Sequence, residues 1–536
     1  MKKVIALLVL SLFTIGAAAQ GPPNPDPGKE KADRGKTETA LSKEKAGPNT
    51  EPAAKKAQIY ALFRGSGPAQ EASALKYTPE EMEQKIMTND KIISELKQRC
   101  QGVEFVGELS PVRNDQAAME KIDRLPEEVD GIVIFGPAAG GHAFGGPLAE
   151  KLISTDLPVI IVFPLWGMWQ ESFSYQGYGG HKFLTAHLSV IRDNSETVFS
   201  SRFDDLAGKI NLIRALSELE GFRVLSITDR PPLGGYTPRY GDPVAYENTC
   251  MDHLQNVLGV ELVTIPQEEL FDRIQEVRKH ENREAKQIAQ KWIEGAEKVN
   301  WDEVSQEDVV KSARTYLAMK ALRDQYNCHT VTTEGYGIFA RYEKGPIPSQ
   351  AMASMQLSTE ELVAAPSECL LYSLLVQQLG LNMTGRNGFN GDYIIDHFNH
   401  VAYIGHCEGP LNPYGDDRMC PYVIRDLPQQ YKNQCGSVVQ VKYPLDETVT
   451  VVGMSIYDKK LSIFTGKTIS GRGLFEDFED IYCRSKLAIQ TDTEALLENV
   501  NWEVFNQHRV AFYGDYREDF KNLATLMGFE VVEEDR

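Results

Sequence analysis

Between Gln58 and Phe163, short runs of consecutive β-branched and aromatic residues alternate with longer stretches whose apolar positions recur every three or four residues. The runs Gln58–Phe63, Val103–Gly107, Asp130–Phe135 and Leu157–Phe163 are apolar on both faces, as parallel strands covered by helices on each side must be. Helices are predicted over Thr78–Arg99 and over PLAEKLI, the segment ahead of the last of these strands. A second unit of the same kind follows the helical stretch Leu206–Leu219. It has strands at Phe222–Ile227 and Glu261–Ile265, and two long polar helices over about 267–299 and 305–326. From Gly436 the period changes. SVVQVKYPLDETVTVVGMSIYDKKLSIFTGKTI alternates apolar and polar residues around the turn signals LDE and DKK, which predicts antiparallel strands. The expected fold class is α/β: two Rossmann-like lobes, 57–220 and 221–330, then a mixed α+β domain rich in antiparallel strands, 331–536.

The first 56 residues stand apart from this pattern. Lys2 and Lys3 precede an apolar run from Val4 to Ile15, and Ala17-Ala18-Ala19 supplies small residues for cleavage. Residues 1–19 therefore read as a signal peptide, too short to span a bilayer. Residues 20–56, rich in Pro, Gly, Lys and Glu, read as a disordered linker. The expected location is outside the cytoplasm, in a periplasm or the medium, with no membrane insertion after cleavage.

The formal net charge is −20. Such a chain repels phosphate backbones and anionic lipid, so nucleic acid is not an expected partner. Eight cysteines lie at wide, irregular spacings with no C-x-x-C pair, which favours free buried thiols over a disulfide framework. GPAAGGHAFGG follows a predicted strand but lacks the G-x-G-x-x-G spacing of a dinucleotide loop. Nor does the chain contain G-x-S-x-G, a Walker loop, H-E-x-x-H or paired zinc-ribbon cysteines.

Three places in the last domain combine ionisable groups with apolar surroundings. Glu368 follows Ala364-Ala-Pro-Ser at the expected start of an apolar helix, where a carboxylate gains from the helix dipole; a simple first-turn glutamate is the alternative. NGDYIIDHFNHVAYIGHCEGP, residues 390–410, carries Asp392 after a turn and His406 at the end of an apolar strand. Asp396, His397 and His400 belong to the polar hairpin between them. His508 leads the apolar strand that ends in Tyr513-Gly514-Asp515. A histidine alone on such a strand is more often hydrogen-bonded structure than a ligand.

In order, these residues resemble the C-terminal domain of the L-fucose isomerase family, related more distantly to L-arabinose isomerases. In that family a glutamate follows small residues at a helix start, and a Gly-Asp pair comes about 24 positions later. An H-C-x-G-P strand end and a histidine-led strand ending in Y-G-D complete the pattern. Glu368, Asp392, His406-Cys407-Glu408-Gly409-Pro410 and His508 fit this order. Two departures are Cys369-Leu370, where the family has a second acid, and a single His508 where a histidine pair is common. The resemblance implies metal-dependent aldose–ketose isomerisation of a monosaccharide through an enediol. Glu368 and Asp392 would bind the cation and transfer protons, with His508 as the third ligand and Mn²⁺ the expected metal. His406 is either a fourth ligand or, the preferred reading, a group that orients a ligand or touches substrate. A homo-oligomer is also implied. Trp166 and Trp169 are candidate stacking surfaces for a sugar, against packing or a subunit contact as the alternative. Two other classes compete: an exported sugar-binding protein of the same fold without catalysis, and a two-carboxylate glycosidase.

Overall fold

The computed structural model describes residues 56–65, 78–136, 146–165, 182–189, 196–229, 241–334, 349–427, 435–471 and 483–536. The signal-peptide and linker expectations and Trp166 and Trp169 lie outside these residues, as does most of GPAAGGHAFGG.

The first lobe runs β1 (Ala57–Phe63), α1 (Pro79–Lys85), α2 (Asn89–Arg99), β2 (Val103–Val106), α3 (Asp115–Ile122), β3 (Gly131–Phe135), α4 (Gly146–Ser154), β4 (Val159–Leu165) and β5 (Phe183–Ser189). Its sheet is parallel throughout, in the order β2-β1-β3-β4-β5. Alternate residues of each strand feed separate cores. Ile59, Ala61, Val133 and Ile160 pack in one with Ile92 and Ile213, whereas Leu62, Ile132, Ile134 and Ile161 pack in the other with Ile122 and Leu148. Both faces are therefore covered, which explains the continuous apolar runs. The strand order is the doubly wound 2-1-3-4-5 arrangement, with its switch point between β1 and β3. The helix expected over Thr78–Arg99 is two helices, because Thr88 caps a new start by accepting from the Lys91 N–H.

Helix α5 (Glu196–Ser217) leads to the second lobe: β6 (Arg223–Ile227), α6 (Pro243–Asn256), β7 (Glu261–Ile265), α7 (Gln267–His280), α8 (Asn282–Gly295), β8 (Lys298–Val299), α9 (Gln306–Gln325) and β9 (Thr330–Thr333). β9 straddles the expected start of the last domain and pairs with β6, giving a parallel sheet β7-β6-β9.

The remainder comprises α10 (Ala351–Glu360), α11 (Leu371–Thr384), β10 (Phe389–Asp396), β11 (Val401–His406), β12 (Tyr422–Arg425), β13 (Val438–Val441), β14 (Thr448–Ser455), β15 (Lys460–Ile469), β16 (Ser485–Gln490), α12 (Thr493–Asn499), α13 (Trp502–Phe505), β17 (His508–Tyr513), α14 (Arg517–Met527) and β18 (Glu530–Glu533). Its main sheet has the order β14-β17-β10-β11-β16-β15, and β14 also pairs with β15, so six antiparallel strands close into a barrel. β18 adds to the outer part of β15 in parallel. Closure leaves no open edge among the six. The LDE turn does not make a hairpin as the alternation suggested. It carries the chain from β13, which pairs with β12, across to β14 in the barrel.

Inside and outside of the barrel are distinguished by contacts that cross it. Tyr393 of β10 stacks on Phe464 of β15, strands that are not neighbours, at a centroid distance of 5.4 Å. The Arg509 guanidinium lies 5.1 Å from the Tyr393 ring and pairs with Glu534 at 3.0 Å, with both side chains fully buried. Period-two alternation then turns Asp392 and His508, the neighbours of Tyr393 and Arg509, to the outer face. Helix α11 packs on that face, where a Cβ on Gly380 would collide with the Phe512 ring.

Candidate metal centre

Three chain segments meet at the outer face of the barrel. The first is the loop before α11. Glu368 does not occupy the first helical turn, as its sequence context suggested, but lies three residues before Leu371, the first residue of α11. Glu368 and Cys369 both take left-handed backbone, with φ of 69° and 52°. Such conformations cost non-glycine residues of order 1 kcal/mol each and persist where surrounding bonds impose them. Those bonds come from the threonine-rich β9: the Thr330 hydroxyl donates to the Ala364 carbonyl, Thr332 to Pro366 at 2.6 Å, and the Thr333 carbonyl accepts the Cys369 N–H at 2.9 Å. From the second lobe, Ser226 meets the Cys369 sulfur at 3.4 Å. The turn bearing Glu368 is thus fixed to the carboxyl end of a parallel sheet, where α/β folds place ligand sites.

The second and third segments are β10 and β17. Asp392 and His508 are directly paired residues of these antiparallel strands, so both side chains leave the same face. His508 Nε2 lies 3.4 Å from Asp392 Oδ1 and 3.8 Å from Glu368 Oε2. Gly391 permits the close approach of β10 to β11, since a Cβ there would sit 2.7 Å from the Gly405 carbonyl oxygen. At the end of β11, the His406 ring stands 5.6 Å from that of His508. Glu368, His406 and His508 each offer a ligand atom within 4.8 Å of the others. Asp392 adjoins this trio through His508.

Exposure divides the four residues into two layers. The Glu368 and Asp392 side chains are 29% and 25% exposed, whereas His406 and His508 are buried beneath them. Burial pushes the Glu368 carboxyl up to about 7; Asp392 and Glu408 add to the rise and His406 opposes it. Burial also drives His508 down to about 4, against the pull of Asp392. His508 is neutral at physiological pH, the form in which imidazole binds metal. For His406 burial acts downward, but the surrounding Glu408, Glu368 and Asp392 raise it overall.

The polar atoms support cation binding. Asp392 Oδ1 and both ring nitrogens of His508 are buried without a hydrogen-bond partner, an arrangement native proteins rarely keep unless water or an ion completes it. Two imidazoles and one or two carboxylates, with an open mouth, form a donor set for a divalent cation rather than a closed structural site.

Sequence reasoning passed over Glu408. This buried carboxylate receives the Ser367 N–H on both oxygens, at 3.0 and 3.2 Å, and lies 3.8 Å from His406 Nδ1. It therefore joins the Glu368 turn to His406. An acid inside the apolar Cys-Glu-Gly-Pro turn was the available signal. Tyr372, also missed, is buried close enough to Glu368 for its phenol to be held well above its usual range, by burial first and the carboxylate second. Its hydroxyl accepts from the Asn506 amide at 2.7 Å. Asp396, His397 and His400 lie in the polar hairpin, where Asp396 accepts the Asn399 N–H at 3.2 Å.

All eight cysteines are free, and all but the half-buried Cys435 are buried. Among the described residues no helix is long and apolar enough to cross a membrane. No protein-family model matches the chain, and no curated protein matches it.

Proposed function

We propose that the protein is an exported, metal-dependent aldose–ketose isomerase resembling the L-fucose isomerases. One observation carries the reading: Glu368 and Asp392 stand at the mouth of a site whose floor is His406 and His508, and Asp392 Oδ1 and both His508 ring nitrogens are buried without a hydrogen-bond partner. Glu368, His406 and His508 would hold the cation, with Asp392 completing the set. The mutual approach of the first three favours His406 as a ligand over the orienting role. A bound Mn²⁺ or similar ion supplies polarisation of neighbouring substrate oxygens.

Aldose-to-ketose conversion moves one proton from C2 to C1 and another from the C2 hydroxyl to the C1 oxygen, through an enediol. Two carboxylates at one mouth provide an acceptor and donor for each transfer. In the metal-free site burial holds the Glu368 carboxyl up to about 7; a bound cation would favour its carboxylate, the form that accepts a proton. Asp392, braced against His508, faces the same opening. Glu408 keeps the Glu368 turn and His406 in register, so the carboxylate need not reorganise during the reaction.

The test is chelation followed by Mn²⁺ add-back on a panel of aldoses. Ketose should form only with metal restored. Sugar binding without metal or turnover would instead identify a non-catalytic sugar-binding protein.

A further inference from the structure

Asn390 opens the stretch that ends in the His406 turn, and no role so far described uses it. Its side chain is 1% exposed, yet neither Oδ1 nor Nδ2 meets a hydrogen-bond partner. It precedes Asp392 by two positions on β10, so it shares the outer face with that carboxylate, about 7 Å further along the strand. Its cross-strand partner is Val510, two residues beyond His508. Two more buried atoms at this face have no partner: Ser367 Oγ, beside Glu368, and Gln377 Oε1 on α11, whose amide nitrogen donates to Gly388 at 2.8 Å.

Leaving a carboxamide buried and unpaired costs about 1–3 kcal/mol, and leucine would fill the same space without that cost. Asparagine is explained if something outside the chain satisfies it. An amide donates and accepts at once, as does a hydroxyl. An open-chain sugar with C1 and C2 at the carboxylates extends its remaining hydroxyls away from them.

We infer that Asn390 binds a substrate hydroxyl beyond the reacting carbon pair, and so helps decide which open-chain polyol the site accepts. The inference rests on the proposed sugar chemistry of the site. Asn390 is a binding residue, with no part in proton transfer.

The experiment compares the full Mn²⁺-loaded protein with Asn390→Leu. Three quantities are read: the thermal midpoint without ligand, the Mn²⁺ dissociation constant, and calorimetric affinity for ribitol, galactitol and sorbitol. The variant should keep or raise the midpoint and bind Mn²⁺ equally, and should lose about tenfold in affinity for the best alditol, the equivalent of one hydrogen bond. Unchanged alditol affinity in a stable variant overturns the inference. So does a midpoint several degrees lower, which would make Asn390 structural. Wild-type protein that binds Mn²⁺ but none of the alditols overturns the sugar reading and this inference together, before the variant is considered.

Discussion

Replacing Glu368 with glutamine separates the cost of its charge from its use. The folded carboxyl titrates at about 7, against 4.5 for an ordinary glutamate. At 1.36 kcal/mol per pH unit, ionising it in the folded protein costs about 3 kcal/mol more than in the unfolded chain. Its raised value means that the folded state holds the proton more tightly. The contribution is therefore fully present below pH 4.5 and is lost as pH rises through 7. Glutamine carries no such cost. In chelator, wild type and Glu368→Gln should have similar stability at pH 4.5, and the variant should be ahead by about 2–3 kcal/mol at pH 8. Urea midpoints measured at several values across this range give the slope directly. An offset between the two proteins that stays constant with pH would refute the assignment of the shift to Glu368. Mn²⁺ added at pH 8 should reverse the ranking, because a ligand that binds only the folded state stabilises by mass action.

Three further perturbations address neighbouring parts of the site. His508 has the opposite sign: its folded value of about 4 lies below the ordinary 6.5, so metal-free wild type should lose about 3 kcal/mol as pH falls from 6.5 through 4. His508→Leu should flatten that limb in the same urea assay. Gly391→Ala puts a methyl 2.7 Å from the Gly405 carbonyl oxygen; a cost of about 2 kcal/mol or more is expected, seen as a lower thermal midpoint. Thr332→Val removes the hydroxyl that holds Pro366. It should cost about 1 kcal/mol in stability and weaken Mn²⁺ binding measured by calorimetry, since the Glu368 turn loses a restraint.

Strands β3 and β4 of the first lobe were legible because burial on both faces leaves them without polar positions to confuse the period. Val133 and Ile134 go to different cores, yet both must be apolar. The last domain was legible as antiparallel but not as a barrel. Closure depends on β17 inserting between β14 and β10, a pairing of distant segments that local alternation does not encode. The same holds for the site. Asp392 and His508 are each visible in the sequence, but their direct pairing is a matter of register. Glu368 was placed in a helix by its apolar successors. Its left-handed turn arises from hydroxyls on β9, which read only as a short threonine-rich strand. Glu408 and Asn390 were hidden for a related reason: burial of a polar residue is decided by what packs over it.

The Arg509–Glu534 pair ties the candidate metal centre to a buried charge inside the barrel. Arg509 follows His508 directly, and its guanidinium donates to the carbonyls of Phe505, Asn506 and His508. Those contacts fix the start of β17 from inside the barrel. The counter-ion that makes a buried guanidinium tolerable is Glu534, just after β18. The alignment of His508 on the outer face is consequently coupled to the pairing of an acid held within the barrel, 26 residues further along the chain.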